Sequence, residues 1–202
     1  HHIPSGYIGT IGVEYGNVAR SASLTTPAQT ELHADLKEMY DAGIRACAIE
    51  VSSHGLTQRR TESIDIDCAI FTNLTHEHLD YHGTMENYFE AKKILFKEMK
   101  PEGIAVLNAD DATITGLKEC CACPYVTYGI DNDADYKAAD VKLGARCTEF
   151  TLIYDGTAYP VKTNLIAEYN ISNLLAVIAA LNSQGMELFE IIPLLDQIPQ
   201  EI

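Results

Sequence analysis

The stretch THEHLDYH, residues 75–82, places three histidines, one glutamate and one aspartate within eight positions. Side chains of these types bind metal ions, transfer protons or contact phosphate groups. Their density indicates a functional site, and two kinds of site fit the residue types. One is a pair of zinc ions, and the other is a magnesium-dependent site that handles phosphate.

As a zinc site, the stretch resembles the H-x-H-x-D-H signature of the metallo-β-lactamase-like hydrolases, with His76, His78 and Asp80 in register. Tyr81 stands where that signature needs its last histidine, and His82 follows one residue late. The H-E-x-x-H pattern of metalloproteases also fails, because Asp80 occupies the place of the second histidine. A binuclear zinc hydrolase is therefore an alternative that depends on this stretch alone.

Two continuous apolar runs, RACAIEV (45–51) and DCAIFTNL (67–74), lead into the polar stretches of the chain. Such runs are typical of parallel strands that are buried on both faces. In an open α/β sheet the ligand crevice lies at the carboxyl ends of the strands. Glu50 and His78 are therefore expected near one crevice, where a single glutamate is a normal contribution to a magnesium site. Capping of the following loop explains Glu50 equally well.

A predicted helix over residues 84–99 carries a lysine on its apolar stripe. The stripe consists of Met85, Tyr88, Leu95 and Met99. Lys92 falls on it, and a lysine on a buried face must reach solvent, pair with an anion or lose its charge. A neutral amine can also react with carbon dioxide to form a carbamate, which binds as a carboxylate does. Lys93 points away from the stripe, and we expect it to be a solvated surface lysine.

Strand and helix patterns alternate along the chain. The first 24 residues predict a hairpin, and TTPAQTE predicts a helix that Thr26 caps. The apolar face of this helix is predicted to consist of Leu32, Leu36, Met39 and Tyr40. Further strands are predicted at 104–108, 124–129, 136–143, 147–154 and 157–163, and a long helix at 171–185. We therefore predict an α/β fold, a doubly wound and mostly parallel sheet flanked by helices, with an added antiparallel β segment.

The composition limits the class of partner. The chain has 29 acidic and 14 basic residues, a formal charge of −15. This charge argues against nucleic acid or an anionic membrane surface as the main partner. No apolar run approaches the roughly 20 residues of a membrane span. Cys47 and Cys68 lie in apolar runs, as in reduced proteins, so we expect a cytoplasmic protein.

Three motifs occur in a fixed order: TTP (25–27), EVSSHGLTQRR (50–60) and FTNLTHEHLDYHGTMENYFEAKKILF (71–96). Together they resemble the central, ATP-binding domain of the Mur ligases, most closely the MurE type, and the resemblance covers residues 1–202. It implies a P-loop-NTPase-like fold that uses ATP and Mg²⁺. It also implies ligation of meso-diaminopimelate or L-lysine to UDP-MurNAc-L-Ala-D-Glu through an acyl phosphate, a step of peptidoglycan precursor synthesis.

The resemblance also implies roles for individual residues. The muramoyl dipeptide would be bound by Thr25, Thr26, Ser52, Gln58 and Arg60. Glu50 and His78 would contact magnesium, and Lys92, carbamylated, would place a second magnesium ion; these three are the implied catalytic residues. Asn170 and Asn173 would contact the nucleotide, although helix capping explains them almost equally well. His76 and His82 have no implied role and are expected to be structural.

Parts of a complete ligase are missing from this sequence. No glycine is followed by lysine, so the P-loop pattern G-x-x-x-x-G-K-[ST] is absent. The N-terminal uridine-binding domain and the C-terminal amino-acid-binding domain are expected elsewhere in the full-length chain, as partners of this domain. We expect the isolated chain to bind ATP poorly and to lack ligase activity. A non-catalytic Mur-like binding module remains an alternative.

Overall fold

The computed structural model describes residues 3–199. The chain divides into two compact units. The first contains the chain up to Ile64 together with His76–Leu95, and the second contains Asp65–Thr75 together with the chain from Phe96 onward. Residues 200–202, which end the DQIPQEI stretch, lie outside the described residues, as do residues 1 and 2.

The first unit is built on a four-stranded sheet. Its elements are β1 (Ser5–Gly9), β2 (Gly12–Tyr15), β3 (Val18–Arg20), α1 (Gln29–Asp41), β4 (Ala46–Ile49), α2 (Ser53–Thr57), α3 (Leu79–His82) and the part of α4 (Met85–Lys97) up to Leu95. The strand order is β3-β2-β1-β4, with β4 parallel to β1 and the other pairs antiparallel. The predicted hairpin is therefore confirmed, and a third strand extends it.

Helix α1 packs on this sheet through one face. The core consists of Ile8, Val13, Tyr15, Leu32, Met39 and Ile44. Gly6 allows this packing, because a Cβ there would lie 2.9 Å from the sulfur of Met39. Tyr40, predicted on the apolar face, is 64% exposed, and the Arg45 guanidinium lies 4.8 Å from its ring centre. Its amphipathic ring is stable at the surface, so the prediction of a buried Tyr40 is wrong.

Thr26 does not cap α1, which corrects the prediction from TTPAQTE. The helix begins after Ala28, which provides no side-chain cap. Thr26 is instead fully buried, and its hydroxyl donates to the Glu50 carbonyl at 2.9 Å and accepts from the Ser52 N–H at 2.9 Å. One hydroxyl thus satisfies two backbone groups of the loop that joins β4 to α2, and it holds that loop against the segment before α1.

The second unit is built on a six-stranded mixed sheet. Its elements are β5 (Cys68–Phe71), β6 (Ile104–Asn108), α5 (Ile114–Cys120), β7 (Tyr125–Gly129), β8 (Tyr136–Leu143), β9 (Thr148–Tyr154), β10 (Thr157–Thr163), α6 (Glu168–Ser183) and α7 (Leu188–Leu195). Strands β5 to β8 are parallel in sequence order, and β8, β9 and β10 are antiparallel. The predicted α/β fold with an added antiparallel segment is confirmed.

Helix α6 covers this sheet with an almost entirely apolar surface. Ile171, Leu175 and Ile178 are fully buried against side chains such as Leu152 of β9 and Tyr128 of β7. The Tyr128 hydroxyl donates to the Phe71 carbonyl at 3.0 Å, so its polar atom is satisfied. Helix α6 has 16 residues, and no helix within residues 3–199 has the length and apolar character needed to cross a membrane.

Strands β4 and β5 are less buried than their apolar runs predict. Ala46 and Ala48 of β4 are exposed, and Ile70 of β5 is 41% exposed. Each strand is the outermost of its sheet, so it has a neighbouring strand on one side only. The expectation of two buried faces is wrong for these strands, because an edge strand is protected mainly on the face that its own unit covers.

Truncation of Leu152 tests the core of the second unit. Leu152 is fully buried, whereas Leu143, in the neighbouring strand β8, is 52% exposed. We expect Leu152→Ala to lower the free energy of unfolding by about 2–5 kcal/mol, because it leaves a cavity, whereas Leu143→Ala should change it by less than about 0.5 kcal/mol. Urea unfolding of both variants measures the difference, and equal losses would contradict this packing.

The isosteric change Thr26→Val tests the bridging hydroxyl. It removes the donor for the Glu50 carbonyl and the acceptor for the Ser52 N–H while preserving side-chain volume. We expect a loss of about 1–3 kcal/mol in unfolding free energy, because polar groups are left without partners. Thr30→Val, at an exposed position of α1, is the matched control. Urea unfolding that shows the same small change in both would rule out the bridge.

Candidate functional site

Glu50 directly follows the last residue of β4, and its carboxylate accepts three hydrogen bonds. Oε1 accepts from the Tyr7 hydroxyl, and Oε2 accepts from the Thr10 N–H at 3.1 Å and the Thr10 hydroxyl at 2.6 Å. Burial on its own would raise the pKa of Glu50, but the hydrogen bonds from Thr10 and Tyr7 together lower it. Glu50 is therefore an ionised carboxylate, and it does not cap the following helix, whose N-cap is Ser52.

Tyr7 is held beside Glu50 by the backbone around Gly9. Burial, together with the hydrogen bond to Glu50, raises the pKa of Tyr7 to about 12. The phenol therefore keeps its proton and donates a hydrogen bond to Glu50. A Cβ at Gly9 would lie 2.7 Å from Cδ of Glu50 and would also overlap the Tyr7 ring. Only glycine at position 9 permits this approach of phenol and carboxylate.

Ser52, Gln58 and Arg60 surround the short helix α2 and connect to Thr26. The Ser52 hydroxyl accepts from the Gly55 N–H at 3.1 Å, as an N-cap does. Arg60 donates from Nη1 to the Thr26 carbonyl at 2.7 Å, and from Nε and Nη2 to Oε1 of Gln58 at 3.1 and 2.6 Å. Predicted site residues from two sequence motifs thus share one hydrogen-bonded network.

Thr25 and Gln58 extend this network at its two sides. The Thr25 hydroxyl lies 3.1 Å from the hydroxyl of Thr10, which itself binds Glu50. Gln58 donates from Nε2 to the Tyr81 hydroxyl at 3.3 Å. All five residues predicted to bind the muramoyl dipeptide therefore connect, through hydrogen bonds within the first unit, to each other or to Glu50.

A cluster of aromatic and imidazole rings contains His78. The His78 backbone is left-handed (φ 56°) at the start of α3, and its ring lies edge-on to His54, at 5.2 Å between centres, and to Tyr88, at 5.7 Å. His82 stacks on Tyr88, and its Nε2 lies 2.9 Å from the Ser53 hydroxyl. Burial, followed by the neighbouring His54, lowers the pKa of His82. The contacts of His82 agree with its expected structural role.

The two adjacent lysines of α4 have different surroundings. Lys92 is partly buried, with Nζ 5.4 Å from the centre of the Tyr88 ring. Tyr88 therefore joins Lys92 to the ring cluster that holds His78. Lys93 pairs with Glu90, and its side chain is only 16% exposed. The prediction that Lys93 is a solvated surface lysine is wrong, because the ion pair and the Phe89 ring, 5.0 Å from Nζ, cover it.

Asn170 and Asn173 belong to the second unit, on the first turns of α6. Asn170 donates from Nδ2 to the Ile166 carbonyl at 2.6 Å, and Asn173 is exposed. The N-cap position is Ala167, with φ +78° and no side-chain cap. Simple N-capping therefore does not account for either asparagine.

The described residues do not form the ligand set of a zinc pair. Within residues 3–199, no group of three or more His, Cys, Asp or Glu side chains is arranged to hold a metal ion. His76, which the hydrolase signature requires, is exposed. The spacing in THEHLDYH therefore does not correspond to converging ligands in three dimensions.

Sequence reasoning missed Tyr7, Thr10 and His54. Tyr7 and Thr10 lie 43 and 40 positions from Glu50, and only the parallel pairing of β1 with β4 brings them to it. His54 was visible in VSSHGL, but no spacing rule connects it with His78. The IGTIG stretch, in which Gly9 precedes Thr10, was a local indication that this segment approaches Glu50 closely.

Comparison with known proteins supports one family. The sequence pattern described as "Mur ligase middle domain" matches residues 2–181. The chain is 38% identical over 192 residues to the UDP-N-acetylmuramoyl-L-alanyl-D-glutamate–2,6-diaminopimelate ligase of Geobacter sulfurreducens, which covers 92% of this chain. It is 36% identical over 198 residues to the corresponding L-lysine ligase of Staphylococcus aureus, which covers 96% of it.

A solved structure of a UDP-N-acetylmuramoyl-L-alanyl-D-glutamate–2,6-diaminopimelate ligase superimposes with a TM-score of 0.89 at 28% identity. The match covers 98% of this chain and 41% of that one. The chain likewise spans 38% and 40% of the two curated relatives, so it corresponds to part of their length. The pattern match, the relatives and the fold agree, and the chain belongs to the Mur ligase middle domain family.

Proposed function

We propose that this chain is the central, ATP-binding part of a MurE-type ligase of peptidoglycan precursor synthesis. The observation that carries the proposal is the hydrogen-bonded network of Thr26, Ser52, Gln58 and Arg60 beside Glu50. It places hydroxyl, amide and guanidinium groups together at the carboxyl end of β4, where ligands bind in α/β sheets. ATP and UDP-linked precursors occur in the cytoplasm, which is where we place the protein.

Arg60 is the group best suited to hold an anionic part of UDP-MurNAc-L-Ala-D-Glu. A guanidinium presents a rigid fork of N–H donors that matches a carboxylate or phosphate. Gln58 and the Thr26 carbonyl fix the plane of this fork before substrate arrives. We assign Thr25, Thr26 and Ser52 to the same substrate, because their hydroxyls lie in the same network.

The proposed reaction joins a carboxylate to an amine at the expense of ATP. A carboxylate oxygen of D-glutamate attacks the γ-phosphorus of ATP, and ADP leaves. The amine of a diamino acid then attacks the acyl phosphate carbon, loses a proton and displaces phosphate through a tetrahedral intermediate. The first step is required because a carboxylate is a poor electrophile, whereas phosphate is a good leaving group. The relatives include ligases for 2,6-diaminopimelate and for L-lysine, and the proposal covers both substrates.

The residues fit a magnesium site. Glu50 provides an ionised, exposed carboxylate oxygen, which is the ligand type that Mg²⁺ prefers, and Mg²⁺ normally keeps several waters. His78 offers an exposed imidazole, and Lys92, as a carbamate, would add a second carboxylate-like group. Bound magnesium would neutralise the phosphate oxygens, and the protein groups would hold those oxygens in place.

We assign Asn170 and Asn173 to the nucleotide, because they lie on the first turns of α6, whose N-cap residue provides no side-chain cap. The phosphate-binding loop pattern is not found in this sequence, and we assign that loop to another part of the full-length protein. The uridine-binding and amino-acid-binding domains are assigned there as well. They would be the partners of this domain within one chain.

The substitution Arg60→Lys in the full-length protein tests the substrate assignment. Lysine keeps the charge but cannot reproduce the fork that binds Gln58 and Thr26. We expect kcat/KM for the muramoyl dipeptide to fall roughly 10- to 100-fold, as for lost hydrogen bonds to a charged group. Tripeptide product is measured by mass spectrometry. Arg59→Lys, which alters the exposed ion pair with Glu62, is the control. Equal kcat/KM values in the two variants would contradict the assignment of Arg60 to the substrate.

Carbamylation of Lys92 is tested by carbon-13 NMR of the chain equilibrated with labelled bicarbonate. We expect one slowly exchanging carbamate signal that Lys92→Arg removes and Lys93→Arg preserves, because only Lys92 lies beside the ring cluster at Tyr88. A signal that survives in Lys92→Arg, or the absence of any signal in the unchanged chain, would refute the assignment.

A further inference from the structure

We infer that Tyr7 and Thr10 are positioning residues that leave Glu50 a single open coordination position, and that Thr10, which occupies Oε2, thereby favours magnesium over calcium at this site. The inference rests on the proposed role of Glu50 as a magnesium ligand and adds a selectivity device to it. The device consists of Tyr7, Gly9, Thr10 and Glu50, all of which belong to the first unit.

The open position follows from counting acceptor sites on the carboxylate. Two carboxylate oxygens provide about four lone-pair sites. The N–H and the hydroxyl of Thr10 occupy both sites of Oε2, and the Tyr7 hydroxyl occupies one site of Oε1. One site of Oε1 is left, so Glu50 can bind a cation through one oxygen but not through both.

The arrangement is rigid as well as crowded. The Glu50 N–H donates to the Ile8 carbonyl at 2.8 Å, which continues the β1–β4 pairing and fixes the start of the side chain. Tyr7 and Thr10 lie on either side of Gly9, where any Cβ would overlap the phenol and the carboxylate. The carboxylate therefore cannot offer both oxygens to one cation without breaking a hydrogen bond from Thr10 to Oε2.

One-oxygen coordination discriminates between hard divalent cations. Mg²⁺ demands near-ideal octahedral geometry, which a bidentate carboxylate with its narrow bite disturbs. Ca²⁺ tolerates irregular geometry and more ligands, and it often takes both oxygens of a glutamate. When Glu50 can bind only through Oε1, Ca²⁺ loses Oε2 as a second ligand, whereas Mg²⁺ does not need that second oxygen. Thr10→Val frees one site of Oε2 and so permits both oxygens to bind one cation, whereas Tyr7→Phe frees only a second site of Oε1 and keeps Oε2 occupied.

The test measures cation binding rather than ligase activity. Mn²⁺ is titrated into the chain and its free fraction is followed by electron paramagnetic resonance, after which Mg²⁺ or Ca²⁺ is added to displace it. The quantity compared is the Ca²⁺ concentration for half-displacement divided by that for Mg²⁺. We expect Thr10→Val to lower this ratio roughly 3- to 10-fold, the size expected for one net hydrogen bond, because it frees one site of Oε2. Tyr7→Phe should leave the ratio unchanged, because both hydrogen bonds from Thr10 still occupy Oε2.

Tyr15→Phe is the matched control, because the Tyr15 hydroxyl also donates to a glutamate, Glu38, in the same unit. It should leave the ratio unchanged, even if it costs similar stability in thermal unfolding. An unchanged ratio in Thr10→Val, or a fall in Tyr7→Phe as large as that in Thr10→Val, with Mn²⁺ binding that Glu50→Gln abolishes, would overturn the selectivity device and leave the magnesium assignment standing. Mn²⁺ binding that survives in Glu50→Gln, or no binding to the unchanged chain at millimolar Mn²⁺, would overturn both.

Discussion

The loop between β4 and α2 depends on the buried hydroxyl of Thr26. This loop turns away from the sheet just where the backbone loses its ladder partners, and it leaves a carbonyl at Glu50 and an N–H at Ser52 to be satisfied. A hydroxyl is the smallest side-chain group that donates and accepts at once, and Thr26 uses both capacities there. Gly55 lets α2 approach, because a Cβ at that position would lie 2.9 Å from Cβ of Thr26. The positions of Ser52, Gln58 and Arg60 follow from this contact.

The chain carries a formal charge of −15, yet its proposed ligands are anions. Long-range electrostatic repulsion therefore opposes binding, and local groups have to overcome it. Arg60, held by neutral oxygens of Gln58 and Thr26, keeps a positive charge that no carboxylate neutralises within this network. The hydrogen bonds that lower the pKa of Glu50 keep its negative charge available for a cation. Arg60 thus stays available for an anion and Glu50 for a cation, and the two charges are not paired with each other in this network.

Local patterns in the sequence predicted much of the fold. The bounds of β6, β8 and β10 agree with the runs 104–108, 136–143 and 157–163, because alternation and apolar runs between turns are local properties. The predictions that Thr26 caps α1 and that Lys93 is solvated were wrong. Thr26 instead forms a hydrogen bond to the distant Glu50 carbonyl, and Lys93 forms an ion pair with Glu90 of the same helix. The partners of Glu50 were beyond prediction, because strand register decides which residues meet across 40 positions.

His78 has a left-handed backbone, φ 56°, at the start of α3. A side chain with a Cβ is less stable in this conformation, by roughly 1–2 kcal/mol, than glycine would be. The ring is exposed, so burial does not compensate for that strain. Selection for thermostability alone would thus favour glycine at position 78 and discard the imidazole. An imidazole that gains no stability from its backbone conformation agrees with the magnesium-contacting role that we propose for His78.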